Sequence, residues 1–171
     1  KPWFLLNEDS TIRTISGEQR IPMPVDFLQE YEEGVFRYQP DDTSEEEYLL
    51  DKEDLDDLLK KYGRLQTGTP KAYAATGEYF RIFPIPDDDY LLSLLYYKRA
   101  TKLSTDIENA WLKYCPMLLI GAAGKLIAPA LGNGPAGVVF ADWEAKAKVA
   151  LFAENETRKH SNRSYQMGGA D

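Results

Sequence analysis

The sequence has few of the residue types on which enzyme sites and metal sites depend. Its 171 residues include one cysteine, Cys115, and one histidine, His160. A single cysteine excludes an intramolecular disulfide and a zinc site with several thiolates, and a single histidine excludes a histidine-rich metal site. Any serine or cysteine nucleophile would need His160 as its base, yet His160 lies in a polar C-terminal segment without rigid surroundings. We therefore predict that the protein is not an enzyme and has no catalytic residue, metal or cofactor.

Long hydrophobic runs and a phosphate-binding loop are missing as well. The longest apolar stretch, 117–131, is interrupted by Lys125 and Pro129 and is shorter than the roughly 20 residues of a membrane helix. The apolar run at 2–6 is too short for a signal peptide. The glycines at 121–125 lack the pattern of nucleotide-binding loops. We expect a soluble, intracellular protein, and we expect an upstream segment because the sequence starts without methionine.

An excess of positive charge is also missing, because acidic residues outnumber basic ones and the net charge is −8. Residues 41–60 hold ten acidic residues and two lysines, so this segment carries the whole excess and the rest of the chain is neutral. A protein without a basic face is not expected to bind DNA non-specifically, although DNA can still slide past it. The acidic residues do not alternate around a glycine as calcium ligands do, and neither does the triplet at 87–89. The acidic segment 41–60 and the triplet at 87–89 are each better interpreted as solvated acidic surface.

Alternating hydrophobic residues and turn residues indicate β-structure in the first hundred residues. Segments 71–75 and 79–83 flank a Thr-Gly turn and predict a hairpin. The prolines of 21–24 exclude a central strand there, because proline donates no ladder hydrogen bond. The near-continuous apolar character of 90–99 predicts the longest strand, buried on both faces. Further strands are predicted at 11–15, 35–39 and 47–50. Residues 51–62 have helical spacing, with Asp51 as the expected cap and Gly63 at the expected end.

The remainder of the chain has a helical pattern. Residues 105–108 match a capping box, in which a threonine and a glutamate satisfy the first amides of a helix. The apolar segment 117–131 predicts a helix that is buried either within the fold or between subunits, and Pro129 should kink or end it. A last helix is expected from about Pro135 to about Arg158.

The last helix has two apolar stripes, which consist of Phe140, Trp143, Ala147 and Ala150 and of Ala145, Val149 and Phe152. One stripe is enough to pack a helix into its own domain, so a second stripe indicates a neighbouring molecule. A helix enclosed by two elements of its own chain explains the pattern equally well. On the first interpretation, a subunit interface is predicted at Phe140, Trp143, Val149 and Phe152.

The C-terminal segment combines basic residues with Tyr165 and Met167, which a merely solvated tail does not need. A frayed terminus is the usual fate of such residues, but this composition favours an arm that docks on a partner. The sequence thus predicts an α+β fold with a C-terminal helical bundle and a small antiparallel β-sheet and hairpin subdomain. Residues 1–104 would form a mainly β region with one short helix, 105–158 a helical region and 159–171 an extended docking arm.

Several motifs follow one another along nearly the whole chain: Pro-Trp-Phe-Leu, Ile-Pro-Met-Pro-Val-Asp-Phe-Leu, Thr-Gly-Thr-Pro-Lys-Ala-Tyr-Ala, Tyr-Phe-Arg-Ile-Phe-Pro-Ile-Pro-Asp, Leu-Leu-Tyr-Tyr-Lys-Arg, Asn-Ala-Trp-Leu and Arg-Lys-His-Ser-Asn-Arg-Ser-Tyr-Gln-Met-Gly-Gly. In this order they resemble the head-to-tail adaptor proteins of short-tailed bacteriophages, also called tail accessory factors or connector proteins. Such proteins usually begin with a helix upstream of the first strand, and this sequence lacks it.

The resemblance implies a virion structural protein of the neck between capsid and tail, made in the host cytoplasm. Neighbouring copies would form a ring, typically twelvefold, under the portal protein, above a downstream tail or nozzle protein. Genomic DNA would pass through the channel without specific binding. The implied portal-binding residues are Arg158, Lys159, His160, Asn162, Arg163, Tyr165, Gln166 and Met167.

Carboxylates that face such a channel would repel DNA phosphates, so Asp54, Asp56 and Asp57 are predicted to line it.

Two other functions remain open. The chain could be a different neck, tail-tube or nozzle-contacting protein, or a tail-associated cell-wall hydrolase, although the sequence offers a hydrolase no nucleophile-base pair.

Overall fold

The computed structural model describes residues 1–39, 47–102, 104 and 109–166, with no description of the side chains at 32–35 and 159–166. The fold is a mixed α+β fold with antiparallel sheets and a C-terminal helical region, as the sequence predicts. The chain divides into two compact units. One consists of residues 6–99, and the other combines residues 1–5 with the chain from residue 100 onward.

The strands and helices are numbered in chain order. The strands are β1 (Leu6–Arg13), β2 (Arg20–Pro22), β3 (Phe27–Gln39), β4 (Tyr48–Leu49), β5 (Asp51–Lys52), β6 (Thr67–Gly68), β7 (Ala72–Thr76), β8 (Tyr79–Phe83), β9 (Ile85–Pro86) and β10 (Leu91–Lys98). The helices are α1 (Leu55–Tyr62), α2 (Ala110–Tyr114), α3 (Pro116–Ala130) and α4 (Gly134–Gln166), and Trp3–Leu5 forms a short 3₁₀ turn.

The β unit contains two four-stranded sheets, in the orders β1-β10-β3-β4 and β2-β8-β7-β5, and a small pair formed by β6 and β9. Pairing is antiparallel except for β5 with β7 and β6 with β9. One core cluster of this unit consists of Ile21, Phe36, Leu50, Tyr73, Phe80, Ile82, Leu92, Leu94 and Tyr96. A second cluster consists of Leu58, Ala72, Ala74 and Phe83. Burial of these side chains removes apolar surface from water, which is the main stabilising contribution to the unit.

The predicted hairpin is confirmed, because β7 and β8 pair around Gly77, whose φ of 61° suits glycine. The proline-containing strand β2 lies at a sheet edge, as its missing donors require. The strand at 90–99 was expected to be the longest, but β3 has 13 residues and β10 has 8. Strand β10 is nevertheless central in its sheet and has no exposed residue. One face of the strand is buried and the other is half-buried, so the expected burial of both faces is confirmed only in part.

The short helix starts later than the sequence indicated. Asp51 belongs to β5, and Asp54 occupies the N-cap position of α1. The parallel pairing of Asp51 with Ala72 draws this residue into the sheet and delays the helix. Gly63 has a φ of 67° and donates its amide to the Leu59 carbonyl, so the predicted end of the helix is confirmed.

The helical unit is a hairpin of α3 and α4 preceded by α2. The Asn109 side chain caps α2 by accepting the Trp111 amide at 2.8 Å, whereas the capping box predicted at 105–108 lies outside the described residues. Pro116 begins α3, and the helix ends one residue after Pro129. Asn133 then caps α4, since its Oδ1 accepts the Ala136 amide at 3.2 Å.

Two glycines of α3 allow the helices of the hairpin to approach closely. A Cβ on Gly121 would lie 2.7 Å from the Glu144 amide nitrogen and 2.9 Å from the Phe140 carbonyl oxygen. A Cβ on Gly124 would lie 2.4 Å from the Phe140 ring. Side chains larger than hydrogen are therefore excluded from this helix interface.

The apolar helix 117–131 was expected to be buried within the fold or between subunits. In the single chain only Gly121 and Ala128 of α3 are buried, and several large apolar side chains of this helix are exposed. Within the single chain α3 is not enclosed, because it packs mainly against α4 and to a smaller extent against α2. A helix this apolar with an open face needs a further partner.

Candidate assembly surfaces

The face of α4 that points away from α3 carries an outer stripe formed by Val138, Ala145, Val149 and Phe152. These residues are spaced 7, 4 and 3 positions apart, which places them on one side of a helix with 3.6 residues per turn. Val149 is 71% exposed and Phe152 is 67% exposed. Isolated apolar side chains on a surface are ordinary, but a stripe two turns or more in length marks an interaction site.

A second apolar feature of the helical unit is a groove of about 380 Å³, called here the aromatic groove. Tyr114 and Trp143 form its aromatic walls, and Met117 contributes a flexible apolar side chain. Its complete lining is Tyr114, Cys115, Pro116, Met117, Trp143, Lys146, Ala147, Ala150, Leu151 and Glu154. The Phe140 ring supports Trp143 edge to face, with ring centroids 5.4 Å apart.

The four residues predicted for a subunit interface are in three different places. Phe140 packs over Gly124 inside the hairpin. Trp143 lines the aromatic groove, while Val149 and Phe152 lie on the outer stripe. The sequence pattern did not distinguish these positions, because helical spacing gives a face but not the element that covers it. Their role in subunit contacts stays a prediction.

An ionic clasp joins the two helices of the hairpin. The carboxylate of Glu144, on α4, accepts hydrogen bonds from Lys125 Nζ of α3 at 2.7 Å and from Lys148 Nζ at 2.5 Å. Glu144 is buried, with 9% of its surface exposed. Its hydrogen bonds to Lys125 and then to Lys148 lower the pKa of the carboxyl group from 4.5 to about 2. Glu144 therefore stays ionised in the folded protein over nearly the whole acidic range.

The N-terminal residues pack against α2 and α4. The Trp3 amide donates to Asn155 Oδ1 at 2.9 Å, and the Arg158 guanidinium lies 3.7 Å from the centre of the Trp3 ring. The Phe4 ring stacks on Tyr114 at 5.2 Å. The sequence pattern did not predict this contact, although the Trp-Phe pair close to the N-terminus is a signal for it. The helical unit therefore contains both ends of the described chain.

Helix α4 continues to Gln166, whereas an extended segment was predicted from residue 159. Residues 138–167 contain neither glycine nor proline, and an Arg158–Glu154 ion pair of 2.9 Å supports the helix at one-turn spacing. Lys159, His160, Asn162, Arg163, Tyr165 and Gln166 thus lie on a helical backbone, with side chains outside the description. Met167 lies outside the described residues. Portal binding by these residues stays a prediction.

The three aspartates predicted to face a channel lie at the start of α1 and are exposed. Asp57 pairs with Lys60 at 3.0 Å, and this hydrogen bond raises the pKa of the Lys60 ammonium group. Asp54 and Asp56 lie within one turn of this pair. Carboxylates at a helix N-terminus also interact favourably with the helix dipole, so a local stabilising role accompanies any role in a channel.

The β unit has a groove of its own, about 600 Å³ in volume. Val25 is fully exposed on it and Arg99 contributes a positive charge. Its lining is Pro22, Met23, Pro24, Val25, Phe27, Leu28, Gly77, Glu78, Tyr79 and Arg99. This is the segment of the Ile-Pro-Met-Pro-Val-Asp-Phe-Leu motif, so the motif forms a surface feature of the β unit.

Across the described parts of the chain, no group of three or more histidine, cysteine, aspartate or glutamate side chains is placed to hold a metal ion. No helix among the same residues is long and apolar enough to cross a membrane. The triplet at 87–89 serves its own loop: Asp87 accepts the Tyr90 hydroxyl at 2.7 Å, and Asp89 accepts the Ser16 amide at 2.9 Å.

The sequence matches a known protein family over nearly its whole length. No curated protein matches the sequence. The family model described as SU10 adaptor protein matches residues 3–168, which includes both units. The resemblance seen in the order of the motifs is thereby confirmed. The chain belongs to the SU10 adaptor protein family and is a bacteriophage head-to-tail adaptor, a structural protein of the virion neck.

Proposed function

We propose that copies of this chain form a ring under the portal, continue the DNA channel into the tail and grip the portal with the C-terminal end of α4. The observation that supports this most directly is the outer stripe of α4. Its large side chains are exposed in the single chain, and covering a continuous stripe of exposed apolar side chains with a partner is favourable in water.

A ring places identical neighbours on both sides of each subunit, through two different surfaces of the chain. The helical hairpin offers two such surfaces, the outer stripe and the aromatic groove. The twelvefold symmetry implied by the resemblance would give each copy the same pair of neighbours. The net charge of −8 per copy, repeated around the ring, would make the assembly strongly negative and disfavour adhesion of DNA during ejection.

The portal contact is proposed at the C-terminal end of α4 and beyond it. Arg158, Lys159, His160 and Arg163 supply positive charge, and Tyr165 and Met167 supply apolar anchors. Solvated charges contribute mainly to orientation and association rate, whereas buried aromatic and thioether groups contribute more to affinity. The groove of the β unit is a suitable surface for the downstream tail or nozzle protein.

The proposal is tested by measuring the mass of the purified protein alone and mixed with its portal, together with electron microscopy of the complex. A ring of adaptor copies on the portal is expected. A single copy per portal, or no complex at all, would contradict it. A zymogram on cell wall addresses the alternative hydrolase function, and a band of clearing at the mass of this chain would require that alternative to be reconsidered.

A further inference from the structure

The outer stripe and the aromatic groove lie on opposite sides of α4. An α-helix turns by about 100° per residue. Phe152 is two positions from Ala150 and two from Glu154, both of which line the groove, so its side chain points about 200° away from theirs. One helix therefore carries a protruding apolar side chain on one side and an apolar recess on the other.

The two features also lie at the same height along the helix axis. A rise of 1.5 Å per residue puts Phe152 about 3 Å from Ala150 and from Glu154 along α4. Cys115 reaches the same level, because the Glu154 carboxylate contributes, after burial, to the raised pKa of the Cys115 thiol. When copies are related by a rotation axis roughly parallel to α4, residues at equal height face each other.

The chemistry of the two surfaces is complementary. The groove is walled by Tyr114 and Trp143 and has room for an aromatic side chain. An aromatic guest can make edge-to-face contacts with both rings in addition to burying apolar surface. On the stripe, Val149 lies one turn before Phe152 and would pack along the groove edge beside Ala147.

We propose that Phe152 of each copy inserts between Tyr114 and Trp143 of the next copy, so that the outer stripe of one α4 covers the aromatic groove of its neighbour. This contact is heterologous, and repetition of a heterologous contact generates a ring when the rotation between copies closes and an open filament when it does not. The inference rests on the proposed ring and specifies which surfaces meet in it. A two-fold contact of stripe with stripe would bury the stripe but leave the groove open, whereas the head-to-tail contact covers both.

The lone cysteine provides a direct test, because Cys115 lines the groove. A Phe152→Cys/Cys115→Ser variant carries its thiol only on the stripe, and the unmodified chain carries its thiol only in the groove. An equimolar mixture is assembled on portal, oxidised with copper phenanthroline and separated without reductant. We expect a disulfide-linked dimer that contains one chain of each kind, identified by mass spectrometry of the linked peptides.

The matched control is Val138→Cys/Cys115→Ser. Val138 lies on the same stripe, but about 21 Å from Phe152 along the axis. It should therefore form little of the linked dimer under the same conditions. Equal linkage from positions 138 and 152 would overturn the proposal, as would a predominant link between two copies of position 152. Rings on portal without any link to Cys115 would overturn the inference while leaving the proposed function intact.

The opposite combination is also informative. A specific link to Cys115 in complexes whose mass excludes a closed ring would support the contact and contradict the proposed ring.

As a second measurement, Phe152→Asp should weaken association between adaptor copies by about 30-fold or more, the effect of losing a central aromatic anchor. Phe152→Leu should retain most of the association. Since Phe152 is exposed in the single chain, both variants should keep the thermal unfolding of the parent, and association of the Asp variant at parental strength would count against the proposal.

Discussion

The Arg158 guanidinium lies over the Trp3 ring, 3.7 Å from its centre, so residues at the two ends of the described chain are in direct contact. The Trp3 amide also donates to Asn155, one turn earlier on α4. These contacts fasten the turn of α4 at residues 155–158, immediately before the segment proposed to grip the portal. The C-terminal part of α4 is therefore anchored by the N-terminus of the chain rather than by the helix hairpin alone.

The first prediction concerns this contact. Trp3→Ala should accelerate amide hydrogen exchange around residues 150–158 several-fold, because the ring that holds Arg158 is lost. Exchange in α3 should change much less. A double-mutant cycle with Arg158→Ala should give a coupling of about 0.5–1 kcal/mol, the size of an exposed cation–π contact. Trp3→Phe, which keeps an aromatic ring, is the control, and a coupling of zero would mean that the two residues do not interact in solution.

The second prediction concerns pH. The folded pKa of Glu144 is about 2, below its ordinary value of 4.5, because Lys125 and Lys148 bond the charged form. A depressed pKa means that the clasp stabilises the fold fully above pH 4.5 and progressively less as the pH falls towards 2. Urea unfolding at pH 7, 5, 4 and 3 should show Glu144→Gln to be less stable at pH 7, with the difference from the parent shrinking below pH 4.5. A difference that stays constant with pH would contradict this role.

The sequence was sufficient to predict those elements that depend on residues close together in the chain. The Thr-Gly turn fixed the β7–β8 hairpin, the prolines of 21–24 fixed an edge position, and Gly63 fixed the end of α1. Contacts between distant segments left no such signal. The pairing of Trp3 with Arg158 spans almost the whole chain, and the length of β3 depends on its pairing with β10 rather than on its own residues.

The candidate surfaces were predictable in part for the same reason. The stripe of Ala145, Val149 and Phe152 follows from helix periodicity and lies on the open side of α4. Periodicity did not reveal that Phe140 is covered by α3, since that depends on the close approach at Gly124. The sequence predicted the end of α4 at about Arg158, whereas the helix continues to Gln166. Asparagine, serine and threonine are weak helix formers, and the ion pair of Arg158 with Glu154 offsets this weakness locally.

The third prediction concerns the close approach of α3 and α4. Gly121→Ala should lower the free energy of unfolding by about 1–3 kcal/mol, because the new methyl group would meet backbone atoms of Glu144 and Phe140, which cannot rotate away. Gly134→Ala is the matched control, since a Cβ there has no neighbour within 4 Å. It should be neutral or slightly stabilising. If urea unfolding gave the same change in the free energy of unfolding for both substitutions, α3 and α4 would not approach each other at Gly121 as closely as the structure shows.

The fourth prediction concerns the acidic start of α1. If Asp54, Asp56 and Asp57 face the DNA channel, their joint replacement by asparagine should leave assembly on the portal intact and slow DNA ejection, because phosphates would no longer be repelled. The measurement is the ejection rate of single virions that carry the variant adaptor. Replacing Asp87, Asp88 and Asp89 is the charge-matched control. An electron-microscopy map with the start of α1 on the outer wall of the ring would refute the channel role.

The last prediction separates the grip on the portal from the stability of the adaptor. The contact between Arg158 and Trp3 means that a truncation should begin after Arg158, since an earlier one would remove the anchor of α4 together with the proposed grip. Deletion of 159–171 should abolish portal binding, because it removes Tyr165, Met167 and most of the nearby positive charge. Thermal unfolding should stay close to that of the full chain. Replacing both Tyr165 and Met167 with alanine should weaken portal binding more than replacing both Lys159 and Arg163 with glutamine. The alanine variant should leave the salt dependence of the association rate unchanged. Binding by the truncated chain at parental strength would show that another surface holds the portal.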